Sequence, residues 1–274
     1  MIGTIAIAER VEAAETRLSL AMLDVTRREG DASAFAVPVG RGAAVYCGPG
    51  APMTKVIGAG IGVPLTEDDV DRVEAAFAPT GESPGWEIAT LGDLGSVRRL
   101  ERRGYGLQRI ELVLGCDIPA LLPQVLPDGI LVTQGRDADW AHIAVAGFAA
   151  AETVEGREAP AESYDTSILE RVVAQFAGVR EMRRYVAILG AEAAGAASAR
   201  VDGELYQLCG AATLPTHRRR GVQSALLSAR LEDARAAGCT LAVVTVEPGS
   251  RSQANVQRRG FVPLYSRLVM ARMS

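Results

Sequence analysis

One pattern is written twice in this chain, and that repeat limits the fold more than any other feature. Thr66 and Gly221 each stand before an apolar helical stretch, strands open at Trp86 and Leu241, and Gly104 and Gly260 each close a helix. The first two pairs lie 155 residues apart and the third 156. A solenoid repeats every 20–50 residues or so, so a period this long implies two tandem domains instead.

The later copy is the clearer one. "LYQLCGAATL" (205–214) has the composition of a strand and runs into the turn "HRRRG". Val222, Ala225, Leu226 and Ala229 then recur at helical spacing, and Gly238 stops that helix. "LAVVTV" (241–246) is a short β-branched strand, "SRSQANVQRRG" a helix and "FVPLYSRLVMAR" a last strand. In the earlier copy, "MTKVIGAGIG" reads as a strand. "TEDDVDRVEAAF" opens with Thr66 and has Asp69 three residues on, a variant of the capping box. "WEIATL" (86–91), a helix to Gly104 and "YGLQRIELVLG" follow.

Between the copies, "IPALLPQVLPDG" holds three prolines and reads as a connection. Beyond it come a short strand, "ILVTQ", helical segments near 137–148 and 167–176, and a strand pair joined at "VDGE". The expected fold class is α/β. It has a first domain at 1–117, a linker at 118–128 and a second domain at 129–274, each a mixed sheet flanked by helices.

The chain has 274 residues, 48% of them hydrophobic, and no apolar run approaches the roughly 18 needed to cross a membrane. The N-terminus lacks a basic segment ahead of an apolar one, so a cytoplasmic protein without a membrane partner is expected. A formal net charge of -4 argues against nucleic acid as a partner. The four cysteines are widely spaced and there are two histidines, which favours free thiols and no metal site.

In an acidic chain, Arg218, Arg219 and Arg220 stand at the end of a helix that already carries partial positive charge. The arrangement makes sense if an anion binds there, on the helix's first N–H groups. Gly221 would let a phosphate approach the backbone, and small Ser224 would keep the mouth open. At the equivalent place the first copy has "TEDDVD", whose carboxylates would repel a phosphate. "GAGIG" (58–62) suggests a dinucleotide loop and hence an oxidoreductase, but Val63 replaces the final glycine of that fingerprint.

"ATLPTHRRRGVQSALL" resembles the acyl-CoA signature of the GCN5-related N-acetyltransferases (GNAT family), in which a strand and proline lead into Arg/Gln-x-x-Gly-x-Gly/Ala and a helix. Arg218 and Gly221 match, and Gln223 departs from the third position. "SQANVQRRGF" fits the family's last helix and strand, and the resemblance spans about 129–274. It implies a V-shaped opening between two parallel strands that takes the pantetheine of acetyl-CoA. Amides of Ala211, Ala212 and Thr213 would pair with that arm. Amides from Arg219 through Arg220, Gly221, Val222, Gln223 and Ser224 would hold the pyrophosphate, and Asn255 would bond the cofactor.

The tyrosine that often serves the family as acid is replaced by Val256. Tyr265 is the expected substitute, with Glu204 as base and Tyr206 on the same strand. The expected activity is acetyl transfer to an amine of a small molecule or peptide, by a monomer or homodimer. The alternative is an inactive acyl-CoA sensor. The first copy is expected to lack a CoA site and to wall the acceptor pocket.

Overall fold

Thr4 accepts a hydrogen bond from the amide of Ile7 and opens helix α1 (Ile5–Arg28). Ala8, Val11, Leu18, Met22 and Val25 are buried along it, at the three-to-four-residue spacing of one helix face. This helix and everything below belong to a computed structural model that describes residues 2–150, 153–154, 157–158 and 166–273.

After α1 come β1 (Phe35–Val39), β2 (Gly42–Tyr46), β3 (Lys55–Ile57), α2 (Glu67–Phe77), β4 (Trp86–Ala89), α3 (Leu94–Arg102) and β5 (Tyr105–Asp117). The second half runs β6 (Ile130–Thr133), α4 (Asp137–Ala149), a short pair β7 (Thr153–Val154) and β8 (Arg157–Glu158), and α5 (Thr166–Gly178). It continues with β9 (Met182–Leu189), β10 (Glu192–Asp202), β11 (Leu205–Thr213), α6 (Val222–Ala236), β12 (Leu241–Val246), α7 (Arg251–Gln257) and β13 (Val262–Arg272). The order β3-α2-β4-α3-β5 recurs as β11-α6-β12-α7-β13. The stretch expected as a strand pair is three strands, because Gly190, at φ 65°, turns the chain between β9 and β10.

Two compact units result. One comprises Met1–Leu114, Thr245–Pro248 and Val262–Ser274; the other comprises Gly115–Val244 and Gly249–Phe261. In the first the strands neighbour one another in the order β1-β2-β3-β4-β13-β5, and in the second β12-β11-β10-β9-β6. The span expected as the second domain therefore does not keep its own last strand. β13 lies antiparallel to β4, with Arg267 opposite Ala89 and Met270 opposite Trp86. A physical cause is visible on its buried face: Tyr265 donates to Glu12 Oε1 at 2.6 Å and Arg267 Nε donates to the same oxygen at 2.7 Å. A buried guanidinium needs such a partner, and α1 supplies it.

The first core gathers Phe35, Tyr46, Phe77, Trp86 and Tyr105, with Phe77 edge-on to Phe35 at 5.2 Å and Trp86 edge-on to Tyr105 at 6.0 Å. In the second unit, α4 and α5 cover one face of the sheet, where Trp140 and Val173 pack with Ala196. α6 covers the other face; a Cβ on Gly195 would lie 2.4 Å from Val222. The segment expected as a linker is bound along α6. The Gln124 amide donates to Glu232 at 2.6 Å, Ser228 donates to the Val125 carbonyl at 3.5 Å, and Arg235 donates to the Leu121 carbonyl.

Candidate active site

β11 and β12 run parallel but pair only from Leu205–Gln207 against Leu241–Val243. Beyond Gln207 the parallel ladder stops while β11 continues to Thr213, which leaves that edge of β11 unladdered. On its other edge β11 pairs with β10, and there the register jumps: Ala197 faces Ala211 and Ser198 faces Cys209. Gly210 is the extra residue, a bulge at φ 34° that leaves its main chain outside the ladder.

The strand leads into a short 3-10 turn, Pro215–His217. His217 is buried, with its ring nitrogens 2.9 Å from the Thr216 hydroxyl and 3.0 Å from the Glu192 carboxylate, which holds the turn to the start of β10. Arg218 donates to the Ala150 carbonyl at 3.0 Å. Arg219 then takes φ 63°, the only positive φ among the described residues that are not glycine, at a cost of about 1–2 kcal/mol. Gly221 follows at φ 82° and caps α6 with no side-chain hydrogen bond. Among the described residues, the first amides of α6 thus have no capping side chain to satisfy them. Arg219 and Arg220 are exposed, and neither forms an ion pair with a described residue. Gln223, the departure from the signature, turns its amide back to the Thr213 hydroxyl at 3.0 Å.

Residues 148–261 match the sequence model of the acetyltransferase (GNAT) family. Residues 148–261 are thus the GNAT-like stretch of the chain. Among solved structures, a GCN5-related N-acetyltransferase from Kribbella flavida is 17% identical with a TM-score of 0.67, over 94% of this chain and 95% of that one. A tandem GNAT protein from the clavulanic acid biosynthesis pathway is 15% identical with a TM-score of 0.53, over 74% of this chain and 67% of that one. A functionally unknown conserved protein from Staphylococcus epidermidis is 12% identical with a TM-score of 0.55, over 75% and 78% of the two chains. These likenesses are of fold, and the fold is that of tandem GNAT-like domains. No functionally curated protein matches the sequence.

A Cβ at Gly221 would meet Pro127 and Ile130 at 3.5 Å, an ordinary contact, while its φ of 82° calls for glycine whatever the space. Asn255, on α7, accepts a hydrogen bond from Arg258, and Arg259 donates to Gln124 at 2.9 Å.

The first copy is built differently at the same places. α2 has a complete capping box, with Thr66 accepting from the Asp69 amide at 3.1 Å and Asp69 accepting from the Thr66 amide at 3.0 Å. Burial works against the Asp69 charge, but the Thr66 hydrogen bonds and Arg72 outweigh it and hold the carboxyl below its ordinary range. Glu67 forms ion pairs with Arg99, Arg102 and Arg103. "GAGIG" bends away after β3 and is tied to α3 by the Asp93 amide, which donates to the Gly60 carbonyl at 2.8 Å.

Each of the three residues expected to do the chemistry has a partner of its own. Tyr265 is buried in the first unit against Glu12, and burial together with the Glu12 charge pushes its pKa far up. Tyr206 points to the α6 face, where its hydroxyl lies 2.6 Å from that of Tyr185 and donates to Asp233 at 3.0 Å. Burial, then Tyr185, drives its pKa upward as well. Glu204 is exposed in the β10–β11 turn, where its carboxylate accepts from Thr240 at 3.3 Å. At about 3.3 Å per residue, the six residues to Gly210 put it roughly 20 Å from the bulge.

A feature missed in the sequence lies on the opposite sheet face. A cavity of about 190 Å³ sits between α4, α5 and the sheet, lined by Trp140, Phe148, Leu169, Val173, Phe176 and the Gly210 bulge among others. The described lining comes from the second unit alone.

Proposed function

We propose that the second unit is an acetyl-CoA-dependent N-acetyltransferase acting on an amine. The observation that carries this reading is the start of α6: a helix N-terminus with no cap among the described residues, a strained Arg219, and two exposed guanidiniums without an ion pair among the described residues, at the end of the free edge of β11. Every part of that arrangement suits a diphosphate. Amides from Arg219 to Ser224 hold it. The free edge of β11 through Ala211, Ala212 and Thr213 pairs with the pantetheine arm, and Asn255 contacts the same ligand.

Bound acetyl-CoA supplies an acyl carbon activated as a thioester. The unladdered main chain at Gly210 is placed to donate a hydrogen bond where negative charge develops on the acyl oxygen. The amine nitrogen bonds to the acyl carbon as the carbon–sulfur bond breaks, and the amine proton passes to the departing sulfur. No side-chain base stands at the bulge among the residues first expected there. Loss of hydration at an apolar site lowers an amine's pKa and so favours the neutral nucleophile.

The test is release of free thiol from acetyl-CoA in the presence of an amine panel, alongside calorimetric binding of CoA. Binding with thiol release supports the proposal. The engagement of Tyr206 with Asp233, of Tyr265 with Glu12 and of Glu204 with Thr240 favours a second reading, an acyl-CoA-binding sensor. Binding without release under every amine would establish that reading instead.

A further inference from the structure

The cavity under α4 and α5 has a chemical character of its own. Ser198 is the sole polar residue of its described lining, and no charged side chain takes part. Trp140 commits its ring N–H to the Ala197 carbonyl at 3.1 Å, so its remaining ring surface is apolar. Phe148, 46% exposed, stands close over the bulge; a Cβ on Gly210 would lie 3.2 Å from its ring. At about 190 Å³ the space exceeds the cavity of about 150 Å³ that accepts benzene, and it suits a substituted phenyl group or a chain of about six carbons.

Its position relative to the free edge of β11 decides what that group belongs to. The sheet lining comes from β10 and from Gly210, with nothing from β12. β10 lies on the edge of β11 away from β12. A thioester seated along the free edge of β11 therefore has β11 between it and the cavity, except at the bulge, where Gly210 carries no side chain and the half-exposed Phe148 is the nearest ring. An acyl chain would have to pass that strand. An acceptor lying in the cavity would bring its amine to Gly210 directly.

We infer that the cavity holds the apolar group of the acceptor, and that the substrates are amines bearing a phenyl ring or a chain of about six carbons. This rests on the acetyl-transfer reading above. The described lining also offers the ammonium form no counter-charge, which favours the neutral amine.

The experiment measures kcat/KM for ethylamine, butylamine, hexylamine and 2-phenylethylamine with acetyl-CoA, and ethylbenzene binding by methyl NMR without cofactor. Each methylene buried is worth about 4-fold, so hexylamine is expected on the order of 100-fold above ethylamine. Ala144→Phe, which fills the cavity, should abolish that gradient and the ethylbenzene shifts while leaving CoA binding unchanged. Phe148→Ala, at a half-exposed position, should lower the 2-phenylethylamine value several-fold and guards against misfolding of the first variant. A flat amine series, or a length preference that appears in acyl-CoA homologues instead, overturns the inference while leaving acyl transfer intact. Ethylbenzene shifts lost in Ala144→Phe, with no thiol release from any amine, would keep the apolar site and overturn the transfer reading.

Discussion

Ser224→Asp would place on α6 the residue that α2 carries at the corresponding position, Asp69. Both are third in their helices, after the caps Gly221 and Thr66. The substitution should act with opposite sign on stability and on binding. A carboxylate in the first turn of an uncapped helix is worth about 0.3–1 kcal/mol. In a chain of this size that raises Tm by about 1–4 °C. A diphosphate at the same helix start would meet the new charge at roughly 5 Å. With an effective dielectric between about 20 and 80, each pair of charges then costs about 0.8–3.3 kcal/mol. CoA affinity should therefore weaken by about 4-fold to 200-fold. Titration calorimetry with CoA and with pantetheine, which lacks the phosphates, separates the effects, because pantetheine binding should not change. The CoA loss should shrink as salt is raised. Unchanged CoA affinity, an equal loss for pantetheine, or a fall in Tm alongside the loss of binding would refute the reasoning.

Further outcomes are expected elsewhere in the molecule. Tyr265→Phe removes a hydrogen bond to a buried carboxylate and should cost about 1.5–3 kcal/mol by urea unfolding, with thiol release per folded molecule unchanged. Glu204→Gln and Tyr206→Phe should also leave turnover close to that of the parent; a loss of 100-fold or more in either would return that residue to the chemistry. At Asp233, burial opposes ionisation, but hydrogen bonds from Tyr185, Arg183 and Tyr206 outweigh it and hold the pKa below 3.8. Its stabilisation is present above that ordinary value and lost as pH falls through the lower folded one, so Asp233→Asn should flatten the fall in stability below about pH 4. A chain starting near Pro119 retains β13 but lacks β4, its antiparallel neighbour. Such a chain should expose that strand edge and aggregate, and a monodisperse, CoA-binding product on size-exclusion chromatography would count against the assigned pairing.

Much of the arrangement around α6 was legible in the chain. Its helix period, the glycine at Gly221 and the arginines before it are local features, and so is the contrasting cap Thr66 with Asp69. Gly210 could also have been read, since a glycine inside a strand pattern signals a bulge. Other features had no local signature. Gly190 lies between β9 and the small-residue strand β10, with no second turn residue beside it, which joined the two into one expected strand. Tyr206 and Tyr265 carry the right chemical group, yet the side each faces depends on Asp233 and Glu12, which lie 27 and 253 residues away. The cavity escaped notice because Trp140, Val173 and Phe176 look like ordinary core residues along their own helices.

By itself, the amino-acid order determined the duplication, the kind of each element near the turn, and the difference between a capped and an uncapped helix start. Those depend on dihedral preferences, on side-chain periods of two or 3.6 residues, and on bonds spanning three or four positions. Only the tertiary structure decided that β13 joins the first unit's sheet, which sheet face each tyrosine occupies, and that four elements leave an apolar space beside Gly210. Strand edges are chemically alike until a buried partner such as Glu12 selects one, and a cavity is a property of surfaces brought together, not of any stretch of chain.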